Sequence, residues 1–388
     1  MMILWLPLLL GFARLDTGGS TTVVRRAPWW NLTLPNPSLP AAGLPSLVGV
    51  ARTVVVSAGP EWGEYNHGPQ LAVLPDGGFM VSWFNGEYCE DAPGERVLHA
   101  RTTTTVSTDS AITPVWSEPA VLFDRMGETK PVGSSGVLVT NYPFHNIGGR
   151  LYALASVNIC TQCGCPPPSH HQPLCSGNTT NTFAPFLIRR IRADSSPGPI
   201  FWITTNRKDL EVVHNTDVLA YNASLLSAAD PQTQADARHW YGSRLDTSTP
   251  EDATTAGQHL NERSVYTRQP PDGQPPMQLQ MLIRCGTIPF LWSSSCDMFT
   301  GLATNASAAP PPPAPGPQCA WSVPVPSSIP DAHTETHVGT LPDGRVYLLG
   351  TQVPNTTARH RRDPLTLSLS RDGLAFDRVW ALRSGAPE

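Results

Sequence analysis

Cysteine and histidine residues are concentrated in one short segment of this sequence. Cys160–Cys175 reads CTQCGCPPPSHHQPLC and holds four of the eight cysteines, together with His170 and His171. Thiolates and imidazoles at such spacing could hold zinc, whereas clustered cysteines in a secreted chain usually form disulfides. We predict disulfides and no metal, because no second pair of ligands with zinc-site spacing accompanies the segment. The sequence does not give the pairing. The remaining cysteines are Cys89, Cys285, Cys296 and Cys319.

The motifs of several other chemistries are missing from the sequence. There is no glycine-rich phosphate loop, no His-Glu-x-x-His pair and no Gly-x-Ser-x-Gly elbow, so a nucleoside triphosphatase, a zinc protease and a serine hydrolase lack support. The 26 Lys+Arg and 31 Asp+Glu residues give a formal net charge of −5. This mild acidity gives no support to nucleic-acid binding. We expect no cofactor.

The N-terminus predicts secretion. The apolar run from Ile3 to Phe12 has the length of a signal-peptide core and is too short to span a bilayer. No basic residue precedes the run, so a retained anchor and a wrongly assigned start are the alternatives. No later segment is long and apolar enough to cross a membrane, and the oligomeric state is left open. Five Asn-x-Ser/Thr sequons suggest N-glycosylation of an extracellular protein: Asn31, Asn178, Asn222, Asn305 and Asn355.

Two stretches of the sequence are near copies of each other. Gln70–Asn85 reads QLAVLPDGGFMVSWFN and His337–Gln352 reads HVGTLPDGRVYLLGTQ. In both, a Pro-Asp-Gly turn separates two apolar runs, because proline fixes φ and glycine supplies the positive φ that a tight turn needs. Weaker copies occupy Ser264–Arg284 and His145–Asn158. The repetition predicts β-hairpins of one kind.

Other elements recur between the hairpins. Trp-Ser-x-Pro occurs at Trp116 and again at Trp321, and strands such as Arg96–Thr104 and Leu365–Ser370 follow the hairpins. Hairpins linked in this way, in a chain with 41 prolines and few helical patterns, predict an all-β fold of radially repeated four-stranded sheets, a β-propeller. A β-sandwich or jelly roll is the rival architecture, but it would not explain the returning turns.

The sequence divides into three expected regions. A signal peptide at 1–20 and a lead-in rich in proline, serine and threonine at 21–45 precede the propeller, which occupies 46–388. The lead-in is expected to form a strand or an irregular segment. Two insertions, the cysteine-rich stretch at 160–182 and the polyproline-prone stretch at 306–317, are expected to be loops between strands rather than domain boundaries.

Three segments resemble the sialidases (neuraminidases). Ser370–Phe376 reads SRDGLAF and is similar to the Asp-box turn of that family, with the Asp-Gly spacing one residue shorter. Asn261–Arg284 resembles the sialidase blade that begins with Asn-Glu and ends with an arginine, and 361–367 (RRDPLTL) resembles the segment in which another site arginine leads into a strand. The resemblance extends from about His67 to Arg383. It implies a six-bladed propeller and an exo-α-sialidase that acts on sialylated or related acidic glycans.

The resemblance also implies roles for individual residues. Glu262 takes the place of the glutamate that activates a tyrosine nucleophile, and Asp91 falls near the acid/base aspartate, which needs a raised pKa to protonate a glycosidic oxygen. Arg284 and Arg362, with Arg361 as the alternative to the latter, take the places of arginines that bind the substrate carboxylate through paired N–H groups. For each residue the alternative is a solvated or structural role.

The sequence departs from the family at two points. In Asn66–Pro69, His67 stands where the first site arginine would be, and a histidine carries only part of a charge at neutral pH. No tyrosine follows Arg362, where the family has its nucleophile, whereas Tyr266 and Tyr347 have the surroundings of strand residues with packing roles. The alternative function is therefore a non-catalytic propeller that binds glycans or proteins.

The absence of a tyrosine after Arg362 is explained if the blade that carries it in the family is missing here. A ring without that last blade would leave a gap or a poorly packed seam between Val346–Leu349 and Leu71–Trp83. We also expect no tyrosine hydroxyl within reach of Glu262. The predicted site residues are nevertheless expected to converge at one mouth of the central channel, where the functional loops of a propeller gather.

Overall fold

Strands and tight turns dominate the regular structure. The computed structural model describes residues 27–50, 53–57, 59, 61–63, 65–87, 92–103, 114–128, 134–147, 150–163, 186–211, 216–237, 260–268, 278–285, 288–297, 322–341, 343–354 and 363–385. The first strand, β1 (Trp29–Trp30), lies in the lead-in and is followed by a short 3-10 element at Pro40–Gly43. None of the helices in these ranges is long and apolar enough to cross a membrane.

The first Pro-Asp-Gly repeat forms the hairpin that opens blade 1. The amide of Gly77, which has a φ of 84°, donates to the Leu74 carbonyl at 3.0 Å. The Asp76 carboxylate accepts the amide of Gly78 at 2.9 Å, and Gly344 in the second copy of the turn also has a φ of 84°. The hairpins predicted at these two positions are confirmed. The strands of blade 1 are β2 (Tyr65–Val73), β3 (Phe79–Gly86), β4 (Arg96–Thr103), β5 (Val115–Trp116) and β6 (Ala120–Phe123).

Blade 2 is built on a long antiparallel hairpin. Its two strands are β7 (Ser134–Ile147) and β8 (Arg150–Cys163), with a bulge between Tyr142 and His145. The sheet continues from β8 to β9, β10 and β11, and two short helices that the sequence analysis did not predict lie between the last two strands. The remaining elements are β9 (Phe186–Arg190), β10 (Phe201–Trp202), α1 (Lys208–Glu211), α2 (Thr216–Ala220) and β11 (Ser224–Leu225).

Blades 3 and 4 are antiparallel sheets formed in chain order, each hydrogen-bonded from one strand to the next. Blade 3 comprises β12 (Leu260–Arg268), β13 (Gln278–Cys285), β14 (Phe290–Asp297) and β15 (Val325–Pro330). Blade 4 comprises β16 (His337–Thr340), β17 (Val346–Gly350), β18 (Leu365–Ser370) and β19 (Ala375–Arg383).

The four sheets are arranged as the blades of a propeller. The first strand of each sheet is the inner one, and β2 lies beside β7 while β12 lies beside β16. The predicted all-β propeller is confirmed, with four blades among the described residues. The expected count of six stays a prediction. The two predicted insertions lie outside the described residues, except for the backbone of Cys160–Cys163 at the end of β8.

Two apolar cores hold the blades in pairs. Between blades 1 and 2, side chains such as Met80, Phe123 and Trp202 are fully or almost fully buried. Between blades 3 and 4, Leu282, Leu348 and residues around them form the second core. Because side chains alternate along a strand, each inner strand contributes one face to its core and leaves the other face free for different contacts.

The lead-in connects the two ends of the chain. Strand β1 pairs in parallel with β19 at the outer edge of blade 4, and Trp30 is buried in the core between blades 3 and 4. Further along, the Ala381 amide donates to the Pro45 carbonyl at 2.8 Å. Beyond the lead-in, the chain reaches blade 1, where the indole of Trp116 donates to Thr53 at 2.9 Å. The segment thus ties blade 4 to blade 1.

The Asp-box-like turn is a structural element. The carboxylate of Asp372 accepts the amides of Leu374 and Ala375 at 2.8 and 2.9 Å. Burial raises the pKa of Asp372, but these hydrogen bonds outweigh it and hold the pKa below its ordinary value. Phe376 is fully buried, and the Tyr266 hydroxyl donates to the Gly373 carbonyl at 2.6 Å. Tyr266 therefore has the packing role predicted for it.

Candidate functional site

The inner strands define the end of the molecule at which the predicted site residues lie. We call the end of the blades at which β2, β12 and β16 begin the upper face. The hydroxyl of Ser264 accepts the Val338 amide at 3.0 Å, which holds β12 and β16 side by side. The carbonyl of Gly68 accepts the side-chain amide of Asn141 at 3.0 Å, which joins β2 to β7. The upper ends of neighbouring inner strands are therefore fixed relative to each other.

Two predicted residues lie at the upper end of blade 3. Arg284, near the end of β13, is paired with Asn261 near the start of β12. Glu262 follows directly and lies in a β-bulge, because the next paired residue of β12 is Arg263, opposite Ile283. Bulges re-aim side chains and are frequent beside active sites. Arg284 itself is partly buried.

His67 lies near the start of β2, at the upper end of blade 1. Its ring meets the ring of Phe84 edge-on, with 5.1 Å between the ring centroids, and the Tyr65 ring lies at 5.8 Å. The next residue, Gly68, has a φ of 60°, and a Cβ there would lie 2.6 Å from the Phe84 ring. Only glycine fits this position, and the resulting turn of the backbone seats His67 against the aromatic ring.

A hydrogen-bond network fixes the backbone beneath His67. The side-chain oxygen of Asn66 accepts the indole N–H of Trp83 at 2.7 Å and the amide of Asn85 at 3.0 Å. The oxygen of Asn85 in turn accepts the Arg96 guanidinium at 3.0 Å. Burial lowers the pKa of Arg96. The Asn-His segment is therefore held by side-chain amides and an indole, and the Arg96 guanidinium bonds to one of those amides.

The other predicted residues fall outside the described chain. Asp91 and Arg362, with its alternative Arg361, belong to the undescribed ranges, so their roles stay predictions. The strands that flank these residues have their ends at the upper face, since β3 ends and β4 begins opposite the start of β2, and β17 ends opposite the start of β16. The backbones of His67, Glu262 and Arg284 thus lie at one face of the propeller.

The centre of the ring holds polar residues from three blades. Gln70 of β2, only 3 % exposed, donates its amide to the Glu335 carboxylate at 2.9 Å. Glu335 lies two residues before His337, which is the first residue of β16. His337 interacts electrostatically with His145 of β7. Its Nδ1 also lies 3.2 Å from the Tyr347 hydroxyl.

The central imidazoles are uncharged at neutral pH. Burial lowers the pKa of His337 to about 4, and burial together with the charge of His337 lowers that of His145 to about 4. Burial raises the pKa of Tyr347 to about 12, so its phenol keeps its proton. At neutral pH the centre therefore offers neutral donors and acceptors beside one carboxylate.

Comparison with known proteins supports the fold. No family model and no curated protein matches the sequence. Among solved structures, one described as a sialidase superposes with a TM-score of 0.56 at 16 % identity, over 92 % of this chain and 30 % of that chain. The fold is sialidase-like. The chain spans less than a third of the length of that sialidase.

Two trans-sialidase structures are also similar. The leech intramolecular trans-sialidase, complexed with 2,7-anhydro-Neu5Ac, gives a TM-score of 0.43 at 10 % identity, over 83 % of this chain and 60 % of that one. The intramolecular trans-sialidase of Ruminococcus gnavus, complexed with oseltamivir carboxylate, gives 0.43 at 10 % identity, over 85 % and 88 %. Identities of 10 % leave the activity to experiment.

Sequence reasoning missed most of the central residues of this sialidase-like propeller, although a signal was present. Gln70, His145, Ser264 and His337 are the first residues of the four hairpin repeats. Equivalent positions of repeated inner strands face a common axis. A polar residue at this position in each of the four repeats therefore indicates a polar centre. Glu335 had no comparable signal, because it lies before its repeat.

The remaining predicted sites are only partly described. Asn31 and Asn222 are exposed, and Asn222 lines a cleft of about 410 Å³ with Asp124 and Tyr221. Asn178, Asn305 and Asn355 lie outside the described residues.

The cysteine-rich segment also lies outside the described residues, so its disulfides stay a prediction, while Cys285 is buried in β13. Within the described ranges, no three His, Cys, Asp or Glu side chains are placed to hold a metal ion.

Proposed function

We propose that this protein is a secreted glycoside hydrolase of the exo-α-sialidase type, which acts on terminal acidic sugars of glycoconjugates. The proposal includes a complete ring of six blades. It is supported by the sialidase-like fold and by the position of the site residues at the ends of strands, where propellers build their binding sites.

The observation that carries the proposal is the register of blade 3. In this register Asn261 pairs with Arg284, and the backbone of Glu262, in its bulge, follows Asn261 along β12. A glutamate and an arginine whose backbones lie at the same strand end support a reaction in which a carboxylate handles a proton and a guanidinium holds an anionic substrate.

The proposed mechanism assigns one task to each residue. Asp91 protonates the glycosidic oxygen of the leaving group, and Glu262 accepts a proton from the nucleophile that attacks the anomeric carbon. Arg284 and Arg362 bind the substrate carboxylate, and His67 adds a contact in place of a third arginine. The acid/base roles require Asp91 to be protonated and Glu262 to be ionised when the substrate binds.

A non-catalytic glycan-binding propeller is the second candidate, and the tyrosines favour it. The Tyr266 hydroxyl is engaged by the Gly373 carbonyl, away from the upper face. Burial raises the pKa of Tyr347 to about 12, which opposes formation of the phenolate that a nucleophile would need. The expectation that no tyrosine hydroxyl lies within reach of Glu262 stays a prediction, because the Glu262 side chain lies outside the described part of the structure.

Turnover of 4-methylumbelliferyl α-N-acetylneuraminide by the full-length secreted protein tests the proposal. Arg284→Ala should lower kcat/KM by about 10- to 100-fold, as expected for loss of a hydrogen bond to a charged group. Arg345→Ala is the matched control, because Arg345 lies in the hairpin turn at the opposite end of its blade and pairs with Asp343 at 2.7 Å. Absence of turnover by folded protein that still binds 3′-sialyllactose would favour the second candidate.

A further inference from the structure

One face of blade 4 carries polar side chains in a regular alternation. From Thr334 to Gly339 every second residue is buried, and Glu335, His337 and Gly339 are the more exposed ones. This period of two shows that the chain is extended here, so these three residues share a face. The opposite face, with Val338, packs into the core between blades 3 and 4. Glu335 and His337 therefore lie on the side of blade 4 that is turned away from blade 3.

Tyr347 shares this face and reaches His337. Tyr347 is paired with Gly339, and a Cβ at Gly339 would lie 2.6 Å from the Tyr347 hydroxyl oxygen. The glycine thus leaves the space in which the phenol lies. The two rings of Tyr347 and His337 are stacked with 5.7 Å between centroids, and the hydroxyl lies 3.2 Å from Nδ1.

Two other blades close the other sides of this polar group. Gln70 of blade 1 donates the N–H of its side-chain amide to the Glu335 carboxylate. His145 of blade 2 lies close enough to His337 for the charge of His337 to help lower the pKa of His145. Among the described residues, the side-chain oxygen of Gln70 is buried and has no hydrogen-bond partner. Because this oxygen is shielded from solvent, Gln70 positions the exposed Glu335 and does not itself bind the ligand.

The protonation states make the group a set of donors and acceptors for hydroxyls. In the arrangement proposed here, the protonated Tyr347 phenol donates to Nδ1 of the neutral His337, and the imidazole proton is on Nε2. The group then offers one N–H donor from His337 and the carboxylate of Glu335 as the acceptor. The carboxylate would repel an anionic group placed against it.

We propose that Glu335 and His337, positioned by Gln70 and Tyr347, form a subsite for a neutral, hydroxyl-rich sugar residue at the centre of the ring. This subsite rests on the proposed function in one respect only, namely that the ligand is a glycan. It deepens that function by assigning the uncharged part of the glycan to this side of the channel. Tyr347 is a positioning residue here and not the nucleophile.

Binding of neutral methyl glycosides to the full-length protein tests this subsite. A panel of methyl α- and β-glycosides of galactose, glucose, mannose, N-acetylglucosamine and fucose is examined by saturation-transfer NMR, followed by titration of any binder. At least one member should bind, and Glu335→Gln should weaken it by about tenfold or more through loss of a charge-assisted hydrogen bond. The exposed Glu118→Gln in blade 1 is the matched control and should bind as the wild type does.

The tautomer of His337 is a second measurement, and it would not change if Tyr347 had only a structural role. Nitrogen-15 shifts should show the proton of the wild-type His337 on Nε2, and Tyr347→Phe should convert this to a tautomer mixture and weaken glycoside binding several-fold. Failure of every neutral glycoside to bind, an unchanged affinity of Glu335→Gln, or a proton on Nδ1 would overturn the subsite. These outcomes do not depend on sialoside turnover, so the subsite and the proposed hydrolase can fail separately.

Discussion

Gln70 of blade 1 and Glu335, just before the inner strand of blade 4, are joined by a hydrogen bond of 2.9 Å, although they are 265 residues apart in the chain. Gln70 belongs to the inner strand β2, and the glutamate precedes the inner strand β16. The contact therefore crosses the region in which the sequence predicted a poorly packed seam. Part of the adjoining apolar surface is exposed, since Leu71 and Phe79 are 39 % and 41 % exposed.

A double-mutant cycle should reveal coupling between Gln70 and Glu335. Each single alanine variant removes the hydrogen bond, so the double variant should be less destabilised than the sum of the two by about 0.5–1.5 kcal/mol. Urea unfolding of the four proteins gives the free energies of unfolding. Strictly additive effects would show that the contact does not hold the two blades together.

Acid should destabilise the fold through its buried histidines. Burial lowers the pKa of His99, His145 and His337 to about 4, from an ordinary value of 6.5. Between these values the unfolded chain binds more protons than the folded one, so stability is complete above about pH 6.5 and decreases as the pH falls towards 4. A shift of this size corresponds to about 3 kcal/mol for a buried histidine such as His99.

Unfolding free energies measured at about pH 7 and at about pH 4.5 should therefore differ, and His99→Gln should reduce the difference. The comparison uses the pH difference rather than the absolute stability, so a loss of packing in the variant does not affect it. An equal pH dependence in the wild type and the variant would contradict the assignment of a low pKa to His99.

Asp236 should be important for the stability of blade 2. Its buried carboxylate accepts two N–H groups of Arg150, at 2.7 and 3.0 Å, and the Tyr152 hydroxyl at 2.7 Å. Asp236→Asn should lower the free energy of unfolding by about 2–4 kcal/mol, because it leaves a guanidinium without its counter-charge. Asp343→Asn is the control, since Asp343 pairs with Arg345 on the surface and its loss should leave the melting temperature unchanged. Equal effects of the two substitutions would contradict the prediction.

Two glycines with the same sign of φ should differ in their response to substitution. Gly77, at a φ of 84°, has open space where a Cβ would lie, whereas a Cβ at Gly68, at a φ of 60°, would meet the Phe84 ring. Gly77→Ala should lower stability by about 1 kcal/mol, from backbone strain alone. Gly68→Ala should lower it by a further 1–3 kcal/mol or so, because the ring must shift. Thermal unfolding measures both, and a Gly68→Ala protein as stable as Gly77→Ala would show that the ring moves without strain.

The sequence determined the features that depend on neighbouring residues. The Pro-Asp-Gly turns form as predicted, because proline and glycine restrict φ within the turn itself and need no distant partner. The Asp372 turn forms for the same reason, since its carboxylate bonds the amides two and three residues further on. From the repetition of these local units the propeller could be predicted, and with it the face to which the strand ends bring Glu262 and Arg284.

Only the tertiary structure decided which distant side chains meet at the centre. The approach of Gln70, His145 and Glu335 depends on how three blades are turned about a common axis, and no local pattern encodes that angle. The parallel pairing of β1 with β19 was likewise invisible, because a strand of two residues has no periodicity to detect. Adjacent residues thus determine the local turns, whereas the polar centre of this propeller arises from packing between segments that are far apart in the sequence.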